Sequence, residues 1–204
     1  MSLERFTAVL IFSLVMGFTP GPNNIMLAAS GARFGIRRTL PHMLGVSFGF
    51  PVMMLLVGLG LATLLLHLPA LQLVLKIVAS LYLLWLAFQI ARSSSHDGGK
   101  AGKPMSFFGA ALFQWINVKA WLYAVGAISA YTSGQGRQLY LQVLIISLLS
   151  IFVSLLTSGT WMVFGAGIRR WLRTPRTERA FNLGMALSLV ATTVPILAEI
   201  EAAL

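Results

Sequence analysis

Long apolar runs alternate with short polar or basic connections along this chain. The runs occupy residues 6–30, 39–66, 71–91, 106–131, 139–168 and 180–200. An α-helix needs about 20 consecutive apolar residues to cross the hydrocarbon core of a bilayer. The pattern therefore predicts an all-α polytopic membrane protein, with six transmembrane helices in a single membrane domain that covers residues 1–204.

A polar segment divides the six runs into two groups of three. Residues 93–104 are rich in Ser, Gly and Lys, a composition typical of a flexible, solvated linker. An odd number of crossings in each half, 1–92 and 105–204, gives the halves opposite orientations. Runs one and four, which begin the halves, carry polar or helix-breaking residues. Inverted-repeat transporters have this arrangement, so we predict two inverted three-helix repeats, although the halves share no strong sequence identity.

Composition supports insertion into a lipid bilayer and argues against nucleic acid as a partner. The chain is 57% hydrophobic and 10% charged, whereas a soluble domain is about 25% charged. The net charge of +10 comes mainly from basic residues clustered between runs one and two, three and four, and five and six. Such clusters mark cytoplasmic loops. We therefore expect both termini to be external. The chain has no cysteine, which excludes disulfides and thiol chemistry.

The sharpest local pattern is Thr-Pro-Gly-Pro-Asn-Asn, residues 19–24. Pro20 and Pro22 remove two backbone donors, and Gly21 adds freedom, so the helix should break here. Irregular backbone at membrane depth must be buried in protein or line a wet cavity. Asn23 and Asn24 would then present amide groups to a polar solute. The alternative is a structural kink capped by Asn. The Pro-Gly-Pro stands where a signal peptide would need a cleavage site, so we expect the first run to be retained.

The second pattern is Trp-Ile-Asn-Val-Lys-Ala-Trp, residues 115–121. Lys119 falls near the centre of run four, where an ionisable side chain costs at least about 2.5–3.5 kcal/mol on insertion scales. It is therefore a candidate to bind a substrate carboxylate or to titrate, together with Asn117. The alternative is a structural lysine bonded to carbonyls freed by the break in run one.

Other polar and small residues carry weaker predictions. Lys76 lies about two helical turns from the start of run three, close enough for its side chain to reach the external membrane surface. His42 is a possible proton carrier, but an interfacial histidine is the simpler interpretation. Gly45 and Gly49 form a Gly-x-x-x-Gly pair that permits close helix packing. We favour packing within the chain over a homo-oligomer formed through these glycine-rich faces.

The absence of acidic residues from runs one to five narrows the function classes. Hard cations prefer carboxylate oxygens, so a metal-ion carrier or channel has little support. The sequence has no His-Glu-x-x-His motif, no paired aspartates and no nucleotide-binding loop. We therefore expect neither an enzyme nor a cofactor or metal site. A transporter is the first hypothesis. A carrier or channel for another solute, a non-transporting scaffold or sensor, and an enzyme that holds a lipid headgroup in its basic loops stay open.

These residues resemble the LysE/RhtB family of amino-acid exporters. The fairly specific first motif is Thr19–Asn23, and the resemblance covers essentially the whole chain. It continues at Gly31, Gly35, Arg37, Arg38, Gly45 and Gly49, through Lys76 to Leu83, and at Asn182 and Gly184. Asn117-Val118-Lys119 stands where many members have Asn-Pro-Lys. Val118 makes the break in run four less certain, and with Leu122 and Tyr123 it resembles the cysteine/O-acetylserine branch of the family.

The resemblance implies export of amino acids or close derivatives across a bacterial inner membrane, driven by the proton gradient. The substrate would be a small zwitterion. From the polar residues at membrane depth, we predict that Asn23, Asn24 and carbonyls near Pro20–Pro22 hold its ammonium group. Lys119 and Asn117 would hold its carboxylate.

Overall fold

The computed structural model of the chain describes residues 1–61, 67–92, 103–133, 136–169, 171–172 and 174–201. All the regular secondary structure in these ranges is helical. In chain order the helices are α1 (Leu3–Phe18), α2 (Pro22–Leu56), α3 (Pro69–Ala91), α4 (Phe107–Phe113), α5 (Val118–Tyr131), α6 (Arg137–Ile168), α7 (Pro175–Ala191) and α8 (Val194–Glu201). A π-helical turn, Val57–Leu61, extends α2, and a 3-10 turn, Gln114–Ile116, separates α4 from α5.

Four helical segments in the described ranges are long and apolar enough to cross a membrane. They are Pro22–Leu61, Ala70–Ala91, Arg137–Ile168 and Pro175–Ala198. Helices α1, α4 and α5 are apolar but have only 16, 7 and 14 residues. Each is shorter than the roughly 20 residues that a crossing requires. The prediction of an all-helical membrane protein is therefore confirmed.

Helix α2 does not run straight, because its backbone turns at Gly35. This residue has φ 76° and ψ 174°, a conformation that glycine adopts far more readily than residues with a Cβ. The hydroxyls of Ser30 and Thr39 lie 3.0 Å apart. In a straight helix, nine residues would separate them by about 13.5 Å along the axis. Segment 36–61 therefore folds back beside segment 22–34.

Runs three, four and five agree with the observed helices to within two residues at their ends. Runs one and two do not, because α1 ends at Phe18 and α2 continues from Pro22 through the predicted connection at residues 31–38. Run six differs at its start. Helix α7 begins at Pro175, five residues before the predicted run at residue 180. Thr174 explains the early start, because its hydroxyl accepts from the Thr177 N–H and caps the helix. Glu178 therefore lies in the first turn, 8% exposed, and not in a loop. Most of the predicted linker 93–104 lies outside the described residues.

Small residues let the helices approach closely. A Cβ placed on Gly165 would lie 2.0 Å from the Ala28 carbonyl oxygen, so α6 and segment 22–34 are in backbone contact. Similar placements on Gly45 and Gly49 would meet the backbone of α4 at 2.2 and 2.5 Å. Helix α4 therefore packs against the Gly-x-x-x-Gly face, which confirms the prediction that these glycines serve packing within the chain. A homo-oligomer stays a prediction.

The outer surface is apolar where a lipid bilayer would contact it. Large side chains on several helices point away from the protein, among them Leu81, Leu122 and Phe152, which are 63–71% exposed. Water would penalise so much exposed apolar surface, whereas hydrocarbon does not. Among the described residues, the buried apolar side chains form three clusters, which contain Met53, Leu83 and Leu27 in turn.

Candidate functional site

The first break in the helical backbone lies between α1 and α2. Helix α1 ends at Phe18, and Thr19 (φ −56°, ψ 132°) leaves the helical conformation. Gly21 is fully extended, and α2 then begins at Pro22. Proline suits this first helical position because its missing N–H would have no partner inside the helix anyway. The break predicted from the Pro-Gly-Pro pattern is present.

Side-chain donors form hydrogen bonds with the backbone carbonyls that this break frees. Asn24 Nδ2 donates to the Gly17 carbonyl at 2.7 Å and to the Thr19 carbonyl at 3.0 Å. The Lys119 ammonium also donates to the Thr19 carbonyl and lies 3.5 Å from the Pro20 carbonyl. The carbonyls that we predicted for a substrate ammonium thus already hold an ammonium, that of Lys119.

The second break lies between α4 and α5 and contains no proline. Helix α4 passes into the 3-10 turn, and Asn117 is extended (φ −86°, ψ 99°) before α5 begins at Val118. The Asn117 carbonyl accepts the N–H groups of Ala120 at 2.9 Å and Trp121 at 3.2 Å. The Trp121 indole donates to the Trp115 carbonyl at 2.9 Å. Valine at position 118 therefore does not abolish the break.

An amide pair joins the two breaks. Asn23 Nδ2 donates to Gln114 Oε1 at 2.8 Å, and Gln114 Nε2 lies 3.3 Å from Asn23 Oδ1. Gln114 Nε2 also donates to the Ala110 carbonyl at 2.7 Å. Gln114 is fully buried. The pair fixes the start of α2 against the end of α4, so the polar motifs of the two halves lie side by side.

A small cavity of about 50 Å³ lies where these groups meet, which we call the central cavity. It has room for a few water molecules. Among the described residues, its lining contains one cationic group, Lys119, and no carboxylate. The residues around it are Met16, Gly17, Gly21, Asn23, Asn24, Val46, Phe50, Asn117, Lys119, Ala120, Tyr123, Ser154, Thr157 and Ser158.

Five of the seven predicted site residues line the central cavity: Gly21, Asn23, Asn24, Asn117 and Lys119. Pro20 and Pro22 do not line it; they shape the break. A Cβ on Gly21 would lie 2.5 Å from Lys119 Cδ. The absence of a side chain at Gly21 therefore leaves room for the Lys119 side chain. The backbone conformation does not require glycine, because an extended backbone is open to any residue. The binding roles of these residues stay predictions.

Several polar groups around the cavity were missed by the sequence analysis. Helix α6 contributes Ser154, Thr157 and Ser158 from a run that looked uniformly apolar. Thr157 and Ser158 follow Ser154 by three and four residues, the spacing of one helix face, and that spacing was the available signal. Gln114 was missed as well, although an amide beside a predicted break is itself unusual in an apolar run.

His42 and Lys76 lie away from the central cavity. His42 is 2% exposed, and neither ring nitrogen has a hydrogen-bond partner among the described residues. It is therefore buried among side chains of the protein, and its position near the membrane surface stays a prediction. Lys76 is half-buried on α3. The part of the chain that the structure describes contains no cluster of three His, Cys, Asp or Glu side chains that would hold a metal ion.

The profile of a transporter family described as LysE type translocator matches residues 14–199 of this chain. The matched region contains both breaks and the central cavity. The chain belongs to the LysE type translocator family. This confirms the resemblance inferred from the Thr-Pro-Gly-Pro-Asn motif. It also confirms a multi-pass transporter over the alternatives of an enzyme and a scaffold.

Curated relatives of this translocator share its length. The cysteine/O-acetylserine efflux protein of Escherichia coli (strain K12) is 32% identical over 197 residues, 96% of this chain and 99% of the relative. The protein of the same name from Shigella sonnei (strain Ss046) gives the same values. That of Shigella flexneri is 32% identical over 186 residues, 91% of this chain and 93% of the relative. No solved structure matches the chain significantly.

Proposed function

We propose that this translocator exports a small zwitterionic amino acid, of the class of cysteine and O-acetylserine, across the bacterial inner membrane. The curated relatives are named for efflux of those two compounds. The observation that carries the proposal is the position of Lys119, which lines the central cavity while its ammonium contacts the backbone carbonyls of Thr19 and Pro20 in the opposite half. The cavity thus holds a cation for a carboxylate and acceptors for an ammonium.

Binding would proceed as an exchange of partners. A substrate carboxylate draws the Lys119 ammonium away from the Thr19 carbonyl. The vacated carbonyl oxygen then accepts a hydrogen bond from the substrate ammonium. Both steps replace one charge-assisted hydrogen bond with another, so no charge is left unpaired in a poorly solvated cavity. A compound that lacks the carboxylate or the ammonium would leave the Lys119 ammonium or the Thr19 carbonyl without a hydrogen-bond partner.

Asn117 would complete the ammonium site. Its Oδ1 atom is buried and has no hydrogen-bond partner among the described residues. An unpartnered acceptor beside the cavity suits the substrate ammonium better than the carboxylate to which the sequence analysis had assigned this residue. Asn23 and Asn24 then hold the backbone of the break in place, since their amides already bond to Gln114 and to the carbonyls of Gly17 and Thr19.

We propose six crossings in two inverted halves. The turn at Gly35 supports two crossings within Pro22–Leu61. Helix α1 with segment 22–34 would form the first crossing, interrupted at residues 19–21. Helices α4 and α5 would form the fourth, interrupted at Asn117. An interrupted helix then begins each half, and the basic clusters would place the loops in the cytoplasm and both termini outside.

Transport would follow from rocking of the two halves about the central cavity. At about 50 Å³ the cavity must widen to admit an amino acid, because an engineered cavity that holds benzene measures about 150 Å³. The Asn23–Gln114 pair joins the halves at this point. Separating them would open the cavity toward one side of the membrane.

The decisive test uses purified protein in liposomes loaded with labelled O-acetyl-L-serine or L-cysteine. Lys119→Gln should lower the efflux rate at least about 10-fold, since hydrogen bonds to charged groups contribute about 1.5–3 kcal/mol. Lys76→Gln removes a half-buried lysine outside the cavity and should leave efflux within about twofold. Unchanged efflux in Lys119→Gln would refute the assigned role of this residue.

A panel of labelled solutes tests the substrate class and the driving force. We expect efflux of small zwitterions to rise with an imposed pH gradient and to be absent for a divalent cation such as Mn²⁺. Efflux that ignores the gradient would show an uncoupled carrier. Cation flux without amino-acid flux would overturn the proposal itself.

A further inference from the structure

A second and larger cavity, of about 220 Å³, lies one helical turn from the central cavity. We call it the loop-side cavity, because Arg33 and Lys103 on its wall belong to two of the basic connections. Its residues are Met26, Ala29, Ser30, Arg33, Phe34, His42, Trp85, Leu86, Gln89, Ile90, Lys103, Pro104 and Met105. It exceeds the cavity of about 150 Å³ that holds benzene, so a small amino acid would fit.

The chemistry of this wall favours an anion. Arg33 and Lys103 are cationic, and none of the described lining residues is acidic. The buried carboxylate of α7, Glu178, is not among them. His42 is 98% buried within the protein, and its two ring nitrogens have no hydrogen-bond partner among the described residues. The buried Arg33 Nε atom likewise lacks a partner there. Unsatisfied donors of this kind suit a ligand with oxygen acceptors.

The two cavities share one helix face. Asn23 lines the central cavity, and Met26, Ser30 and Arg33 line the loop-side cavity. Their spacing of three, four and three residues places all four on the same side of segment 22–34. Met26 is 5% exposed and packs in a cluster with Phe113, the neighbour of Gln114. One layer of side chains therefore separates the cavities.

We propose that the loop-side cavity is a second substrate site, in which Arg33 and His42 bind the carboxylate of a small amino acid before it reaches the central cavity. Arg33 supplies a charged pair of donors and His42 a ring N–H. Lys103 lies at the rim and raises the local concentration of anions. The substrate then passes Met26 and meets Lys119. This inference rests on the proposed export of a zwitterion.

The test compares two arginines of the same connection. Arg33→Gln should raise the KM for O-acetyl-L-serine presented on the loop side about 10-fold, because a charge-assisted hydrogen bond is lost. The maximal rate should change less than about threefold, since the central cavity is intact. Arg37→Gln removes the same charge from an exposed position and should leave the KM within about twofold. Arg33→Lys should restore part of the affinity.

Equal KM values in Arg33→Gln and Arg37→Gln would overturn the inference, while wild-type efflux would continue to support the proposed function. Absence of amino-acid efflux in the wild-type protein would instead refute the proposed function. A binding measurement separates the two further. Trp85 lies on the cavity wall, so O-acetyl-L-serine should change its fluorescence in phosphatidylcholine nanodiscs, and Trp85→Phe should remove that change.

A lipid headgroup is the other source of an anion at this position. The fluorescence titration is therefore repeated in nanodiscs that contain phosphatidylglycerol. If the solute gives no change in phosphatidylcholine and phosphatidylglycerol alone gives the change that Arg33→Gln abolishes, the cavity binds lipid phosphate and the inference is wrong. A solute response that is equal in both lipids, and weaker in Arg33→Gln, supports it.

Discussion

The two helix breaks reach similar geometry by different chemistry. In the first, prolines at positions 20 and 22 interrupt the helix. The side chains of Asn24 and Lys119 then donate hydrogen bonds to the carbonyls that the break frees. In the second, no proline is present, and Asn117 leaves the helical conformation while Trp121 and Gln114 bond to nearby backbone. A break in the helix therefore does not require proline.

The difference shows what makes irregular backbone tolerable at membrane depth. Each freed carbonyl needs a substitute donor, because hydrocarbon offers none. The first break takes one of its donors, Lys119, from the opposite half, whereas the second uses groups within its own half for its carbonyls. We therefore expect the first break to depend on contact between the halves, and the second to be more self-sufficient.

The largest expected effect is at Asn24. Asn24→Ala removes the donor to the Gly17 carbonyl and one of the donors to the Thr19 carbonyl. Leaving a buried polar group unsatisfied costs about 1–3 kcal/mol, so the free energy of unfolding should fall by about 3 kcal/mol. Thermal unfolding in detergent measures it. Ser129→Ala, which removes a hydroxyl bonded within its own helix, should change stability by less than about 0.5 kcal/mol.

A smaller effect is expected at Gln114, where the two breaks meet. Gln114→Leu leaves the Asn23 amide without its partner and should lower the free energy of unfolding by about 1–2 kcal/mol. The double variant Asn23→Leu/Gln114→Leu should lose less than the sum of the two single variants, because neither amide then leaves the other without a partner. Strictly additive losses would mean that the pair does not couple the halves.

The smallest effect is expected at Val118. It is the first residue of α5, so its N–H is not used by the helix, and Asn117 already has the extended backbone that a following proline requires. Val118→Pro should therefore change the free energy of unfolding by less than about 1 kcal/mol and efflux by less than about twofold. Ala120→Pro, which removes the N–H bonded to the Asn117 carbonyl, should be clearly destabilising. A large loss in Val118→Pro would show that the second break depends on details of the valine side chain.

Much of the architecture could be predicted from local patterns. Hydrophobic runs indicated the long helices because a membrane crossing needs a fixed length of apolar chain. The Pro-Gly-Pro pattern indicated the first break because proline acts through its own covalent structure. The early start of α7 was missed because its first turn is polar and charged, so that the hydrophobic run begins after the helix does. The Thr174 cap is local and was the available signal.

Only some residues of the candidate site could be predicted from the sequence. Lys119 and the asparagines stood out because polar groups are rare in apolar runs. The hydroxyl face of α6 and the Gln114 amide did not, since serine, threonine and glutamine occur in many helices without function. Their importance comes from the partners that tertiary packing places beside them.

By itself, the sequence determined that this chain is a helical membrane protein with two polar interruptions, because hydropathy and proline act locally. Only the tertiary structure decided that both interruptions meet at one cavity, and that Lys119 bonds to a carbonyl freed by the first. A carbonyl left free in hydrocarbon accepts whichever donor the packing brings within reach. That donor comes from a helix about 100 residues away along the chain.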